Sequence, residues 1–161
     1  MRPVSADHEI LQSLSGRGLR LEAPGSPVGS FLPWRKEGSL VFLAGQTCDR
    51  GGKPTVTGVY GHDVSLEQAR EAAVVCALNL IWNLREACGG DLGHVSRCIR
   101  VGGFVVAAPG AGDYPLVINA ATELFIALWG DEGAHARTSI GVSALPGNSV
   151  VEIDAVFALR S

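Results

Sequence analysis

The chain has 161 residues, of which 47% are hydrophobic and 18% are charged. This composition is typical of a globular protein with a hydrophobic core, and it excludes an intrinsically disordered chain. The formal net charge is −3 and no cluster of Lys and Arg is present, which argues against nucleic-acid binding. No apolar stretch approaches the ~20 residues that a membrane-spanning helix needs.

The N-terminal part predicts a short helix around Asp7–Leu14, followed by a Gly/Pro-rich loop at residues 23–29. Residues 1–14 carry early charges and lack the apolar core of a signal peptide, so we expect a cytoplasmic protein. We treat residues 1–26 as an N-terminal extension and loop of one domain spanning 1–161. The four cysteines lack CxxC spacing and the four histidines lack HxH or HExxH spacing, which predicts reduced thiols and no metal.

The middle of the chain predicts a strand at Ser39–Gln46, a loop or loose hairpin at 49–58, and then the strongest helix. Ser65 and Gln68 have capping-box spacing at its start, and the Gly89-Gly90 pair ends it. Its apolar stripe consists of Leu66, Ala69, Ala73, Cys76, Ala77, Leu80, Leu84 and Ala87.

The C-terminal half predicts a strand at Val95–Ala107 and a helix from Asp113 or Tyr114 to Trp129, with Pro115 in its first turn. Two strands follow, at Thr138–Leu145 and Val150–Leu159, on either side of the turn Pro146–Ser149. This order of elements predicts an α+β fold, a mixed sheet with two helices packed on one face.

Alternation in the last two strands separates an apolar row from a small and acidic row. The apolar row, which we expect to meet the helices, is Ile140, Val142, Ala144, Val151, Ile153, Ala155, Phe157 and Leu159. The opposite row contains Glu152 and begins with Arg137. Isolated charges are usually solvated, so a plain surface is one interpretation. Two helices cover only one face of the sheet, however, and the Gly and Ser residues in this row favour a covered site formed by self-association.

The spacing of Arg137 and Glu152 also indicates self-association. If residues 146–149 join a simple hairpin, the two side chains lie on the order of 20 Å apart within one chain. They then share a pocket only if the strands are not directly paired, or if a second copy supplies one of them. We therefore expect sites at subunit interfaces.

The segment His135–Phe157 resembles the signature of the RidA (YjgF-like) family of reactive-intermediate deaminases. In that signature an arginine precedes a strand, a Leu-Pro pair follows, and a glutamate stands six residues after the proline. Arg137, Leu145-Pro146 and Glu152 match in type and spacing. Further matches in family order are Ala44-Gly45-Gln46, the helix end with Gly89-Gly90, and Ile118–Phe125. The resemblance covers roughly residues 27–160.

The resemblance implies a chorismate-mutase-like α+β fold, a homotrimeric barrel, and clefts between subunits. It also implies hydrolysis of 2-imino or 2-enamino acids to keto acids and ammonia, without a cofactor. In those roles Arg137 would hold the substrate carboxylate through paired hydrogen bonds, with help from the Gly45 backbone N–H. Glu152 would orient or deprotonate the attacking water. Asn119 matches a family pocket position, although a helix-face amide satisfied by backbone remains an equal interpretation.

Three substrate-binding positions depart from the family pattern. The family tyrosine of the N-terminal strand is Phe31, the serine before the Gly-Gln pair is Ala44, and the cysteine two residues after the arginine is Ser139. Two hydroxyls that bind substrate or transfer protons are therefore missing, while Ser139 adds one.

Two other functions are considered beside deamination. A non-catalytic module that binds a small keto or amino acid at the same clefts needs Arg137 but not Glu152. Ribonuclease activity, with which relatives in this family are labelled, is disfavoured by the negative net charge and by histidines without evident pairing.

Overall fold

The structure, a computed structural model, describes residues 6–161; residues 1–5 of the expected N-terminal extension lie outside that part. The helices are α1 (Ala6–Gly16), α2 (Leu66–Ala87) and α3 (Pro115–Trp129). The strands are β1 (Trp34–Glu37), β2 (Leu40–Thr47), β3 (Asp49–Arg50), β4 (Lys53–Pro54), β5 (Val95–Val106), β6 (Ala136–Val142) and β7 (Val151–Leu159). Short 3₁₀ turns lie at Leu92–His94, Gly130–Gly133 and Pro146–Asn148.

Five strands form one mixed sheet in the order β1-β2-β7-β5-β6. Only β5 and β6 run parallel, and α3 makes the crossover between them, as a parallel pair requires. Strands β3 and β4 pair separately as a small hairpin, which decides between the loop and the loose hairpin predicted for residues 49–58. The mixed α+β fold predicted from the sequence is confirmed.

The start of α2 shows the capping box in full. The Gln68 backbone N–H donates to Ser65 Oγ (3.2 Å), and the Ser65 backbone N–H donates to Gln68 Oε1 (2.9 Å). Two otherwise unpaired donors of the first turn are thereby satisfied. After Ala87 the chain leaves the helix through Gly89 and Gly90, whose positive φ angles of 68° and 91° suit glycine.

The hydrophobic core lies between the sheet and the helices, and α2 and α3 pack on the same face. The expectation of two helices was incomplete, because α1 also joins this core through Ile10 and Leu14. Arg85 of α2 binds the Asp7 carboxylate (3.0 Å), which also accepts the Leu92 N–H at 2.9 Å. The N-terminal segment from Ala6 is thus packed into the fold.

In the last two strands one open alternative is decided and one expectation was wrong. Strands β6 and β7 are not directly paired, because β5 lies between them, so the condition of a simple hairpin does not hold. The helix-facing row of β6 is the reverse of the predicted one. Ile140 is 42% exposed on the open face, whereas Arg137 contacts α3 and the α-carbon of Gly141 faces Tyr114 just before α3. For β7 the prediction holds, since Val151, Ile153, Ala155 and Phe157 are buried.

All four cysteines, Cys48, Cys76, Cys88 and Cys98, are free and buried. Burial raises the pKa of the thiols of Cys76, Cys88 and Cys98.

Among residues 6–161 no helix is both long and apolar enough to cross a membrane. The same residues contain no group of three or more side chains arranged to hold a metal ion.

Candidate functional site

Arg137 lies near the start of β6 and is held by hydrogen bonds from α3. Its Nη1 donates to Asn119 Oδ1 (2.8 Å) and Thr122 Oγ1 (3.0 Å), and its Nη2 donates to the Pro115 carbonyl oxygen (3.3 Å). A guanidinium has five N–H groups, so one on Nη2 and the one on Nε remain without an acceptor in the described chain. No carboxylate forms an ion pair with Arg137 in that part of the chain. Burial lowers the pKa of Arg137 without removing its charge.

A second layer of contacts connects Arg137 to His135. His135 Nδ1 lies 2.8 Å from the Gly133 carbonyl oxygen, so this nitrogen carries the proton and donates. His135 Nε2 then accepts the hydroxyl proton of Thr122 (3.0 Å), whose oxygen accepts from Arg137. Burial, and secondarily the Arg137 charge, lowers the pKa of His135, and this favours the neutral ring that the network requires.

Glu152 lies on β7, on the open face of the sheet, beside Gly45 of β2. A Cβ at position 45 would collide with the Glu152 carboxylate, so glycine is required for this approach. Burial, and secondarily the neighbouring Asp154 carboxylate, raises the pKa of Glu152. No donor within residues 6–161 forms a hydrogen bond with this carboxylate.

A cavity of about 590 Å³ opens next to Glu152. It lies between the segment 24–33, the end of β2 and one face of α2, and its walls include Phe31, Trp82 and several prolines. The polar side chains that line it belong to Ser26, Gln46, Thr47, Asp49, Asn79, Asn83 and Glu152. A concave site with apolar walls and a few convergent polar groups is the usual form of a small-molecule pocket.

Six of the seven residues predicted for the site therefore divide into two clusters. Arg137, Asn119 and Ser139 lie on the helix side, whereas Glu152 and Gly45 lie at the cavity, with Phe31 in its wall. Arg137 pairs with Val101 and Glu152 with Phe104 on β5. This register places their Cα atoms about 14 Å apart, with side chains on opposite faces of the sheet. One chain does not bring the arginine and the glutamate together.

The remaining predicted residues have distinct positions. Within residues 6–161 the Asn119 amide is bonded to Arg137 and not to backbone, which contradicts the interpretation of an amide satisfied by backbone; its role in substrate binding stays a prediction. Ser139 Oγ is buried without a hydrogen-bond partner in the described chain. Ala44 precedes Gly45 in β2. Phe31 precedes β1, which begins only at Trp34, so its expected place in a strand was wrong.

Sequence reasoning missed several residues that the structure places at these clusters. Thr122 and His135 hold Arg137 from behind, and Asp49, Asn79, Trp82 and Asn83 line the cavity. The sequence did contain a signal for Asn79 and Asn83, because these two amides lie one turn apart and interrupt an otherwise apolar face of the helix. No signal in the sequence indicated Thr122.

The fold agrees with one known family. The family model described as "YjgF/chorismate mutase-like, putative endoribonuclease" matches residues 12–159. The chain belongs to this family.

Three relatives cover almost the whole chain. The crystal structure of Atu1372 from Agrobacterium tumefaciens, a protein of unknown function, is 34% identical, covers 97% of this chain and 95% of that one, and has a TM-score of 0.89. A putative endoribonuclease from Shewanella oneidensis is 25% identical, covers 93% of this chain and 99% of that one, and has a TM-score of 0.88. Protein TCP17 of Trypanosoma cruzi is 29% identical over 159 residues, which are 98% of this chain and 99% of that protein.

Proposed function

We propose that the protein hydrolyses small 2-imino or 2-enamino acids to keto acids and ammonia, without a cofactor. We further propose a homotrimer, in which Arg137 of one copy meets the Glu152 cavity of another. The observation that carries the proposal is a pair of charged side chains without a partner of opposite charge in residues 6–161. Arg137 has two N–H groups without an acceptor and no carboxylate partner there, and Glu152 is a half-buried acid with no cation there. A substrate that carries both a carboxylate and an iminium group is complementary to this pair.

The proposed reaction needs only binding, orientation and one proton acceptor. Arg137 binds the substrate carboxylate through its unpaired N–H groups, which fixes the imine carbon in the cavity. Glu152 orients a water molecule and accepts its proton as the oxygen adds to the imine carbon. The Glu152 proton then passes to the nitrogen, the C–N bond breaks while the new hydroxyl group gives its proton to the Glu152 carboxylate, and a keto acid and ammonia leave. A raised pKa makes Glu152 a better proton acceptor at neutral pH than an ordinary glutamate.

The uncovered face of the sheet supports the trimer. Phe42 is 46% exposed and Ile140 is 42% exposed, and within one chain no helix of residues 6–161 covers this face. Such apolar side chains on one sheet face are a common sign of association. Sedimentation velocity tests this part, and a protein that remains a monomer at enzymatic concentrations would exclude sites between subunits.

The activity test generates 2-aminoacrylate from L-serine with a pyridoxal-phosphate dehydratase and follows its conversion to pyruvate. We expect the wild-type protein to accelerate the conversion and Arg137→Ala to lose activity on the order of 100-fold. Arg17→Ala, which removes an exposed arginine at the end of α1, is the matched control and should keep full activity. No acceleration by the wild type, or equal acceleration by Arg137→Ala, would overturn the proposal.

A second candidate is a module that binds a small keto or amino acid without turnover. It is favoured by Phe31 and Ala44, because neither side chain can transfer a proton at the family hydroxyl positions. Binding of pyruvate that depends on Arg137, together with no acceleration of imine hydrolysis, would support it.

Ribonuclease activity, suggested by the description of the family and of the Shewanella relative, has less support here. The net charge is −3 and, among the described residues, no Lys, Arg or His lines the Glu152 cavity. RNA cleavage that persists in a preparation freed of contaminating nucleases, and is lost in Glu152→Gln, would reverse this conclusion.

A further inference from the structure

Within a single chain the cavity beside Glu152 carries two negative charges, and the Arg137 that the proposed trimer brings to it from another copy would offset only one of them. Two carboxylates line it, those of Glu152 and Asp49, and no basic side chain of residues 6–161 does so. Its apolar wall includes the Trp82 and Phe31 rings, and aromatic faces attract cations. The lining therefore favours a positively charged guest over a neutral or negative one.

Two of the residues that line this cavity each carry a buried side-chain oxygen that has no hydrogen-bond donor within residues 6–161. These oxygens are Asp49 Oδ1 and Asn79 Oδ1, and Asn79 is only 1% exposed. The orientation of the Asn79 amide is fixed, because Nδ2 donates to the carbonyl oxygens of Thr47 (3.2 Å) and Asp49 (3.0 Å). Turning the amide over would lose both bonds, so the oxygen is the end that needs a donor.

Unsatisfied acceptors in a buried position are unfavourable, and a ligand that supplies N–H groups relieves them. Asn83 lies one turn after Asn79 in the same wall and has an unpartnered Nδ2. No hydrogen bond within residues 6–161 fixes this amide, so it can turn to present either end to a guest. The cavity volume of about 590 Å³ admits a small molecule with its charged group directed at α2.

We propose that this cavity is a binding site for the ammonium or guanidinium group of a small molecule, with Asp49 and Asn79 accepting its N–H groups and Trp82 contacting its stem. The inference goes beyond the proposed hydrolysis, since it concerns binding whether or not the bound molecule reacts. If the deaminase proposal holds, the same site selects imines that carry a second, cationic group on the side chain.

The test compares n-butylguanidinium with n-butylurea, its neutral counterpart of nearly equal shape, by isothermal titration calorimetry. We expect the cation to bind the assembled wild-type protein about ten-fold more tightly than the urea. Asp49→Asn should remove most of that preference. Glu86→Gln, which deletes an exposed carboxylate of α2 outside the cavity, should leave it unchanged. Equal affinity of the cation and the urea, or an unchanged preference in Asp49→Asn, would overturn the proposal.

Tryptophan fluorescence keeps the proposal testable if Asp49→Asn does not fold. Binding in the cavity should alter the emission of Trp82, and Trp82→Phe should abolish that change. A cation that binds without any Trp82-dependent change lies elsewhere and contradicts the proposed site. Hydrolysis without cation preference would refute this inference alone, and cation binding without hydrolysis would refute only the deaminase proposal.

Discussion

The surroundings of Arg137 and those of Glu152 differ in how far hydrogen bonds fix each side chain. Arg137 is held by three bonds to α3, with His135 and Thr122 behind it. Glu152 has no hydrogen bond within residues 6–161, and its position depends on the missing side chain of Gly45. The arginine is therefore a rigid anchor. The glutamate is held only by the space that Gly45 leaves open, so it can move with its ligand. Substitutions in the two regions should accordingly have different effects.

The largest expected effect is that of Glu152→Gln on imine hydrolysis. Glutamine keeps the shape of the side chain but cannot accept a proton from water, so kcat should fall on the order of 10²- to 10³-fold with little change in KM. Steady-state kinetics with aminoacrylate generated in situ measures both constants. The exposed Glu86→Gln substitution is the control, and equal kcat values for the two variants would remove Glu152 from the mechanism.

Gly45→Ala should have the next largest effect, because the space beside Gly45 determines where the Glu152 carboxylate lies. The new methyl group occupies the position of the Glu152 carboxylate, and either that side chain or β2 must shift. We expect roughly ten-fold lower kcat/KM and a loss of roughly 1–3 kcal/mol in the free energy of unfolding. Gly16→Ala, where an added Cβ meets nothing within 4 Å, is the matched control. A variant with wild-type kinetics would show that the position of Glu152 is not critical.

Thr122→Val tests the rigid region. Valine is similar in shape but cannot connect His135 to Arg137, so the guanidinium loses one of its three bonds. KM should rise a few-fold, with a small change in kcat, because the anchor binds substrate and does not react. Thr57→Val, at an exposed position, should leave KM unchanged. A loss confined to kcat would contradict the role of Arg137 as an anchor.

The smallest effect is expected in the pH dependence of stability. Burial holds the pKa of folded His135 below the value of about 6.5 for an unfolded chain. The unfolded state therefore binds more protons below about pH 6.5, and the stabilisation by neutral His135 is lost as pH falls through the folded pKa. Denaturant unfolding between pH 5 and 7 measures the free energy of unfolding. As pH falls, this free energy should decrease less steeply for His135→Gln than for the wild type. His62→Gln, at an exposed position, should not change the slope.

The sequence predicted most of the fold because strong local signals agreed with it. The capping box at Ser65, the glycines after Ala87 and the proline at the start of α3 mark helix ends by local chemistry, and the structure confirms all three. Strand pairing was not predictable in the same way. The turn at 146–149 has the composition of a hairpin turn, but the chain crosses β5 there, and no local signal distinguishes the two connections.

The prediction of which β6 side chains point toward the helices was wrong because of local packing. The rule that apolar residues face the helices assumes that the other face is solvated. Here Gly141 lies on the helix side because Tyr114 packs close to it, and Ile140 points to the open face, which the proposed trimer would cover.

The types of the site residues were predictable from the family signature. Their division between two clusters was not, because it depends on β5 lying between β6 and β7.

The burial of every cysteine gives this protein internal probes of its own opening. A thiol reagent reacts with a buried cysteine only when the surrounding structure opens, so the rate of labelling measures that opening. Cys76 is fully buried in the middle of α2, whereas Cys88 caps its end and is 6% exposed. Labelling of Cys88 should report fraying of the helix end, and labelling of Cys76 should report unfolding of the core. The order in which the thiols react would map the sequence in which the fold comes apart, without any introduced label.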